Sequence, residues 1–187
     1  MDQRDLVRRA QQGDQDAFAT LAGAAVARLD AAARLILRDS ELARDAVQDS
    51  MVRAWRDLPG LRDPDRFMPW LHRLTVNACL DVARRRRRRS VEVELTPIVM
   101  PSVGDTTAEL AERELIDDAL RLLEPEFRAV VVLHYFLGMP LHDVAVAMRI
   151  PVGTVKSRLH RALRTMRVSL TEAELDEPDA VPGGQFA

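Results

Sequence analysis

The sequence predicts an all-α fold made of two small helical domains joined by a flexible acidic linker. Apolar residues recur at spacings of three and four along most of the 187 residues, and no convincing run of alternating apolar and polar residues demands a sheet. One acidic stretch, residues 90–108, breaks the pattern with Pro97, Pro101, Ser102 and Gly104. Charge is arranged in blocks: residues 1–90 carry net +5, 91–114 net −5, 115–168 net +3 and 169–187 net −5. Two basic modules separated by acid fit the same division.

Asp14 can cap a helix carrying Phe18, Leu21, Ala25, Leu29, Ala33 and Leu37. Asp39 or Ser40 caps the next. There Leu42, Ala46, Met51, Val52 and Trp55 can face the core, while Asp45, Gln48, Asp49 and Arg53 stay on or near the outer surface. Pro59-Gly60 stops that helix, and Leu61–Phe67 reads as a loop. Pro69 then sits in the first turn of a helix with Trp70, Leu71, Leu74, Ala78 and Val82 on its apolar stripe. Trp70 is placed with the core rather than as a stacking platform. Six arginines, Arg84 to Arg89, finish the helix.

After the linker, Leu115, Ala119, Leu122 and Leu123 make an amphipathic helix, and Glu124-Pro125-Glu126 punctuates it. Phe127 to Phe136 reads as a more fully buried helix, broken by Gly138 and Pro140. A short helix, Leu141 to Met148, a tight connection through Arg149-Ile150-Pro151, and a longer helix from about Val152 to Arg167 make a helix-turn-helix. The expected organisation is thus a first domain over 1–89, a linker over 90–108, a second domain over 109–168, and an acidic, mobile tail over 169–187.

With 47% hydrophobic and 30% charged residues, the chain can bury a core. Its one cysteine, Cys79, excludes an internal disulfide and a four-cysteine zinc site, and points to a reducing compartment. The N-terminus is charged from Asp2, and nowhere do about eighteen apolar residues run together, so a cytoplasmic protein without membrane insertion is expected. His72, His134, His142 and His160 are scattered, and neither a Gly-rich phosphate loop nor a paired-carboxylate motif stands out. Neither catalysis, cofactor nor metal is expected. Two basic modules suit two contacts with a polyanion.

The last helix sharpens that expectation. Val155, Leu159, Ala162 and Met166 form an apolar stripe, whereas Ser157, His160, Arg161 and Arg164 share another face flanked by Lys156 and Arg158. A basic face alone is more often merely solvated. Placed second in a helix-turn-helix, behind a proline-bounded turn and Gly153-Thr154, it can enter the major groove and bond base edges.

These residues resemble a known family. Pro151-Val-Gly-Thr-Val-Lys-Ser-Arg-Leu-His-Arg-Ala162 resembles the promoter-reading helix-turn-helix of sigma-70-family factors of the extracytoplasmic-function (ECF) group. Asp45-Ala-Val-Gln-Asp-Ser-Met-Val-Arg-Ala-Trp55 resembles their polymerase-binding helix, and Phe67-Met-Pro-Trp-Leu-His-Arg-Leu-Thr-Val-Asn77 is similar to the motif that follows it. The resemblance implies that the first domain is sigma region 2, that the second is region 4, and that the linker is too short for the middle domain of larger sigma factors. It implies binding to core RNA polymerase through Asp45, Gln48 and Asp49, on the clamp helices of the largest subunit. It further implies capture of unpaired −10 bases by Leu61, Phe67, His72, Arg73, Asn77 and Asp81, since an unstacked base needs an apolar slot and edge hydrogen bonds. Lys156, Ser157, His160 and Arg161 match the −35 readers. Arg84 to Arg89 either grip phosphate or are simply a charged helix end.

The implied partners are core polymerase, promoter DNA and an anti-sigma factor, and the implied role is that of a non-catalytic specificity subunit. The family usually places glycine in the turn before the recognition helix. Met148-Arg149 stands there instead, and the turn is expected to differ slightly because a positive φ is less comfortable without glycine. Two alternatives remain. A LuxR-type regulator has a similar Thr-Val-Lys run but would carry a receiver or ligand-binding domain upstream. An adaptor would bind polymerase without reading DNA.

Overall fold

The computed structural model describes residues 2–89 and 115–176. The linker expected over 90–108 and residues 177–187 of the expected tail lie outside the described residues. Every regular element among the described residues is helical.

Helix α1, Gln3–Gln11, is an addition to the expected elements. Only Leu6, Val7 and Ala10 bury, among four charged residues of the helix, so its apolar stripe is short. Gly13 turns the chain at φ +92, and Asp14 caps α2 (Gln15–Leu37) by accepting from the Ala17 amide at 3.0 Å. Asp39 is the cap of α3 (Ser40–Asp57), accepting from the amides of Glu41 and Leu42. Such caps satisfy amides that no preceding turn can reach. A single 3-10 turn, Pro64–Arg66, leads into α4 (Phe67–Arg89).

The four helices close over Leu29, Ile36, Leu58, Phe67 and Leu71, all nearly inaccessible. Each such side chain contributes about 1.5–3 kcal/mol by leaving water. Between α3 and α4, the Ser50 and Thr75 hydroxyls meet at 3.0 Å, one donating to the other, while the accepting hydroxyl is free to donate within its own helix, to the carbonyl of Val47 for Ser50 or of Leu71 for Thr75. This buried polar pair is therefore satisfied.

In the second unit, α5 is described over 115–121. Helix α6 (Pro125–Val131) opens on a proline that needs no amide partner, and it widens into one π turn, Val132–Phe136. Then come α7 (Leu141–Met148) and α8 (Val152–Asp176). Val130, Leu133, Val144 and Val155 are its fully buried centre.

Several expectations are corrected. Val52 is 62% exposed on α3, not in the core. Along α5 and the turn that follows it, the buried residues are Ala119, Leu120 and Leu123, while Leu115 and Leu122 face water. Helix α8 does not stop near Arg167, so residues 169–176, expected in the tail, are helical. The turn before α8 also keeps the positive φ despite lacking glycine: Arg149 sits at φ 56, ψ 44. Its amide bonds the Val146 carbonyl at 3.3 Å, and the Ile150 amide bonds that of Ala145 at 3.1 Å. Those paired bonds are the Schellman closure of a helix.

Candidate nucleic-acid interface

Three surfaces carry the residues singled out from the sequence. On α3, Asp45 and Gln48 are exposed, and Asp49 is half-exposed in a 2.7 Å ion pair with Arg53, one turn on. Val52 completes this face. The series 45, 48, 49, 52 follows the spacing of one helical side and would have found it, had residue type not suggested burial.

The loop before α4 is held from α1. The Gln11 side-chain amide donates to the carbonyls of Leu58 at 3.2 Å and Leu61 at 2.7 Å. Arg4 forks onto Asp65, holding that carboxyl below the usual range chiefly through their hydrogen bonds. Asp63 caps the 3-10 turn by accepting from the Asp65 amide. The loop thus presents Arg62 and Arg66 outward on an anchored backbone.

The six residues expected at unpaired bases divide. Arg73, Asn77 and Asp81 are half-buried at i, i+4 and i+8 on one side of α4, with Leu61 half-buried in the loop. The Asn77 amide donates to the Arg73 carbonyl at 2.8 Å, and Asp81 pairs with Arg84 at 3.1 Å. Phe67 is 1% exposed and can anchor the loop but offers no surface to a base. His72 is 8% exposed, both its ring nitrogens lack a hydrogen-bond partner among the described residues, and burial, then the Arg28 charge, pushes its pKa down to about 4. It is therefore neutral and covered in this conformation. Trp70 has a double role. Its ring packs 6.0 Å from Phe67, yet it also lines, with Arg73, a cleft of about 300 Å³ whose opposite wall is α7. Within the arginine run, Arg86 is tied to Asp39 at 3.2 Å, whereas Arg85 and Arg88 are exposed.

On α8, Val155, Leu159 and Ala162 are buried, and Lys156, Ser157, His160 and Arg161 are exposed together. The Ser157 hydroxyl donates to the Thr154 carbonyl at 3.0 Å. Arg161 stands at the margin of this face, beside a groove of about 420 Å³ shared with Leu122, Phe127 and Arg164. The face is donor-rich, and nothing in the described second unit lies over it.

Burial pushes the Cys79 thiol up to about 12, so it carries no thiolate to attack with. Among the described residues, no three His, Cys, Asp or Glu side chains are placed to hold a metal, and no helix is long and apolar enough to cross a membrane.

Comparison with known proteins gives these surfaces their context. The family model described as Sigma-70 region 2 matches residues 21–89, and that described as Sigma-70, region 4 matches residues 113–166. The RNA polymerase sigma-E factor of Streptomyces avermitilis is 35% identical over 144 residues, which cover 77% of this chain and 79% of that protein. The ECF RNA polymerase sigma factor SigM of Mycobacterium tuberculosis is 39% identical over 150 residues, 80% of this chain and 75% of that one. Among solved structures, CnrH in complex with the cytosolic domain of CnrY aligns over 95% of this chain and 100% of its own, at 30% identity and a TM-score of 0.64. The sigma factor RpoE in complex with the anti-sigma factor NepR, from Bartonella quintana, shares the fold at 23% identity and a TM-score of 0.67.

Proposed function

The chain belongs to the ECF group of sigma-70-family RNA polymerase sigma factors, and on that premise we propose how its surfaces divide the work. It is an alternative sigma factor, binding core RNA polymerase and directing promoter-specific initiation. The LuxR-type alternative is not favoured, because residues 21–89 match sigma region 2 rather than a receiver or ligand-binding domain.

In our reading, residues 1–89 form the polymerase- and −10-binding domain and 109–168 the −35-binding domain. The face of Asp45, Gln48, Asp49 and Val52 docks on polymerase, with apolar Val52 adding area that the polar residues lack. Leu61, Arg73, Asn77 and Asp81 read unpaired −10 bases, while Phe67 and His72 hold the framework beneath them. Lys156, Ser157, His160 and Arg161 enter the major groove at −35, Arg and Lys suiting guanine edges. The protein supplies recognition and leaves chemistry to the polymerase, in the cytoplasm where polymerase acts. An anti-sigma factor is a further proposed partner, by likeness to RpoE solved with NepR.

The observation that carries this reading is the order of two helical units, each with an outward polar face at the residues its motif requires. Run-off transcription with purified core polymerase tests it. Promoter-specific transcripts that appear only when the protein is added are expected. Transcription indifferent to the protein would overturn the reading.

A further inference from the structure

Helix α1 packs on two 3-10 turns, Leu58–Gly60 and Pro64–Arg66, which bracket residues 61–63 of the loop before α4. It precedes residues 21–89, the stretch that matches the region 2 model, and none of the three recognition surfaces draws on it. Its side chains nevertheless hold the loop at two separate points.

The Gln11 side-chain nitrogen carries two hydrogens, and each has an acceptor on the loop: the Leu58 carbonyl at 3.2 Å and the Leu61 carbonyl at 2.7 Å. The Leu58 carbonyl also accepts from the Leu61 amide at 3.0 Å, so this turn is closed by its own backbone and then pinned from outside. Seven residues earlier, two turns along the same face of α1, Arg4 forks onto Asp65. The two anchors stand about 10 Å apart along the helix axis. Between them Asp63 accepts from the Asp65 amide at 3.0 Å, and Pro64 has a fixed φ. A loop so constrained has its shape before any base arrives.

The exposure of the second anchor separates its effect on the loop from its effect on the fold. The Arg4 and Asp65 side chains are 56% and 47% exposed, and an exposed ion pair adds little to global stability. What it does is local: the anchored loop keeps one conformation, and the cost of ordering it falls on folding rather than on binding. Discrimination between bases is a difference of affinities, and a loop free to reshape itself around the wrong base gives that difference away.

We propose that α1 is a positioning element for −10 recognition. Gln11, on the carbonyls of Leu58 and Leu61, and Arg4, on Asp65, fix the loop in the shape that tells one unpaired base from another. Neither side chain needs to touch DNA; both act through the backbone between Leu58 and Asp65. The part played in promoter choice rests on the functional reading above, whereas the clamp itself does not.

Two measurements on the full chain test this. In the first, holoenzyme made with each variant transcribes a panel of promoters carrying every base in turn at the −10 positions. Gln11→Leu keeps the bulk and removes both donors, and should lower discrimination at one −10 position by about tenfold, the scale of an ordinary hydrogen bond. Arg4→Asp should lower it several-fold with Tm nearly unchanged, and adding Asp65→Arg, which restores the pair with its charges exchanged, should recover most of the loss. A purely structural α1 would instead lower Tm and reduce transcripts from all promoters in proportion, and that result, or a charge exchange that recovers nothing, would overturn the proposal. The second is hydrogen exchange on the free protein. The Leu61 and Asp65 amides, both hydrogen-bonded here, should exchange several-fold faster in Gln11→Leu and Arg4→Asp than in the parent. Unchanged exchange would overturn the clamp. Faster exchange beside a parent that shows no −10 preference would leave the clamp standing and overturn the assignment of the loop to −10, and with it the role of α1 in promoter choice.

Discussion

Replacing Arg149 with glycine should stabilise the protein. Arg149 closes α7 at φ 56, where an L residue crowds its own Cβ against the following carbonyl, at a cost of about 1–2 kcal/mol. Glycine avoids that crowding but loses about 0.5–1 kcal/mol more chain entropy on folding. The net gain is about 0.5–1 kcal/mol, or about 1–4 °C in Tm for a chain of this size. The side chain offsets none of it, being exposed, with neither a hydrogen bond nor an ion pair described for it. Thermal and urea denaturation of the parent, Arg149→Gly and Arg149→Ala proteins provide the assay. Alanine keeps the Cβ and should bring no comparable gain. A glycine variant no more stable than the parent, or an alanine variant equally stabilised, would refute the reasoning.

Asp49→Arg should weaken core polymerase binding by about tenfold while Tm holds, surface changes being cheap for the fold; unchanged affinity with intact melting would remove Asp49 from the docking face. Arg161→Ala should cost about 1–3 kcal/mol at one −35 position and relax preference there, read by holoenzyme binding to a panel of −35 variants. Arg85→Gln with Arg88→Gln should weaken all promoters alike and lower the salt slope, and a changed −35 preference would contradict a phosphate role. His72 is held neutral with its pKa near 4, against about 6.5 when unfolded, so the unfolded chain binds the extra proton between those values. Its contribution is complete above about pH 6.5 and falls away toward pH 4, by at most about 3 kcal/mol. Urea midpoints from pH 7 to 4.5 should fall less steeply for His72→Gln; parallel slopes would place the proton elsewhere.

Local signals made much of this legible. Asp14 and Asp39 cap helices where an acid precedes an apolar stripe, and the Leu141–Met148 and Val152 boundaries follow from Pro140 and Pro151. What failed was information held in other parts of the chain. Val52 has a core residue's chemistry on a surface register, and only the packing of α3 decides. Phe67 and His72 lie within a recognisable motif, but their burial depends on what covers α4. The left-handed turn at Arg149 carries no glycine to announce it. Contact between the units depends on pairs far apart in sequence, such as Arg38 with Asp117, which no periodicity encodes.

Arg38 shares the backbone problem of Arg149, and its comparison separates backbone from side chain. It closes α2 at φ 58, ψ 32, its amide bonding the Arg34 carbonyl at 2.8 Å, so backbone relief alone favours glycine at both positions. The Arg149 side chain points to water, whereas that of Arg38 is 10% exposed and paired with Asp117. Removing it strands a carboxylate that is itself 20% exposed, with Arg121 at 3.6 Å as a remaining neighbour. That loss is about 1–3 kcal/mol and exceeds the relief of about 0.5–1 kcal/mol. Arg38→Gly should therefore lower stability and enlarge the radius of gyration, while Arg149→Gly raises stability at constant radius. Glycine at both sites shifting stability in the same direction would mean that the Arg38–Asp117 pair does not hold the units together, and that the positive φ alone governs both turns.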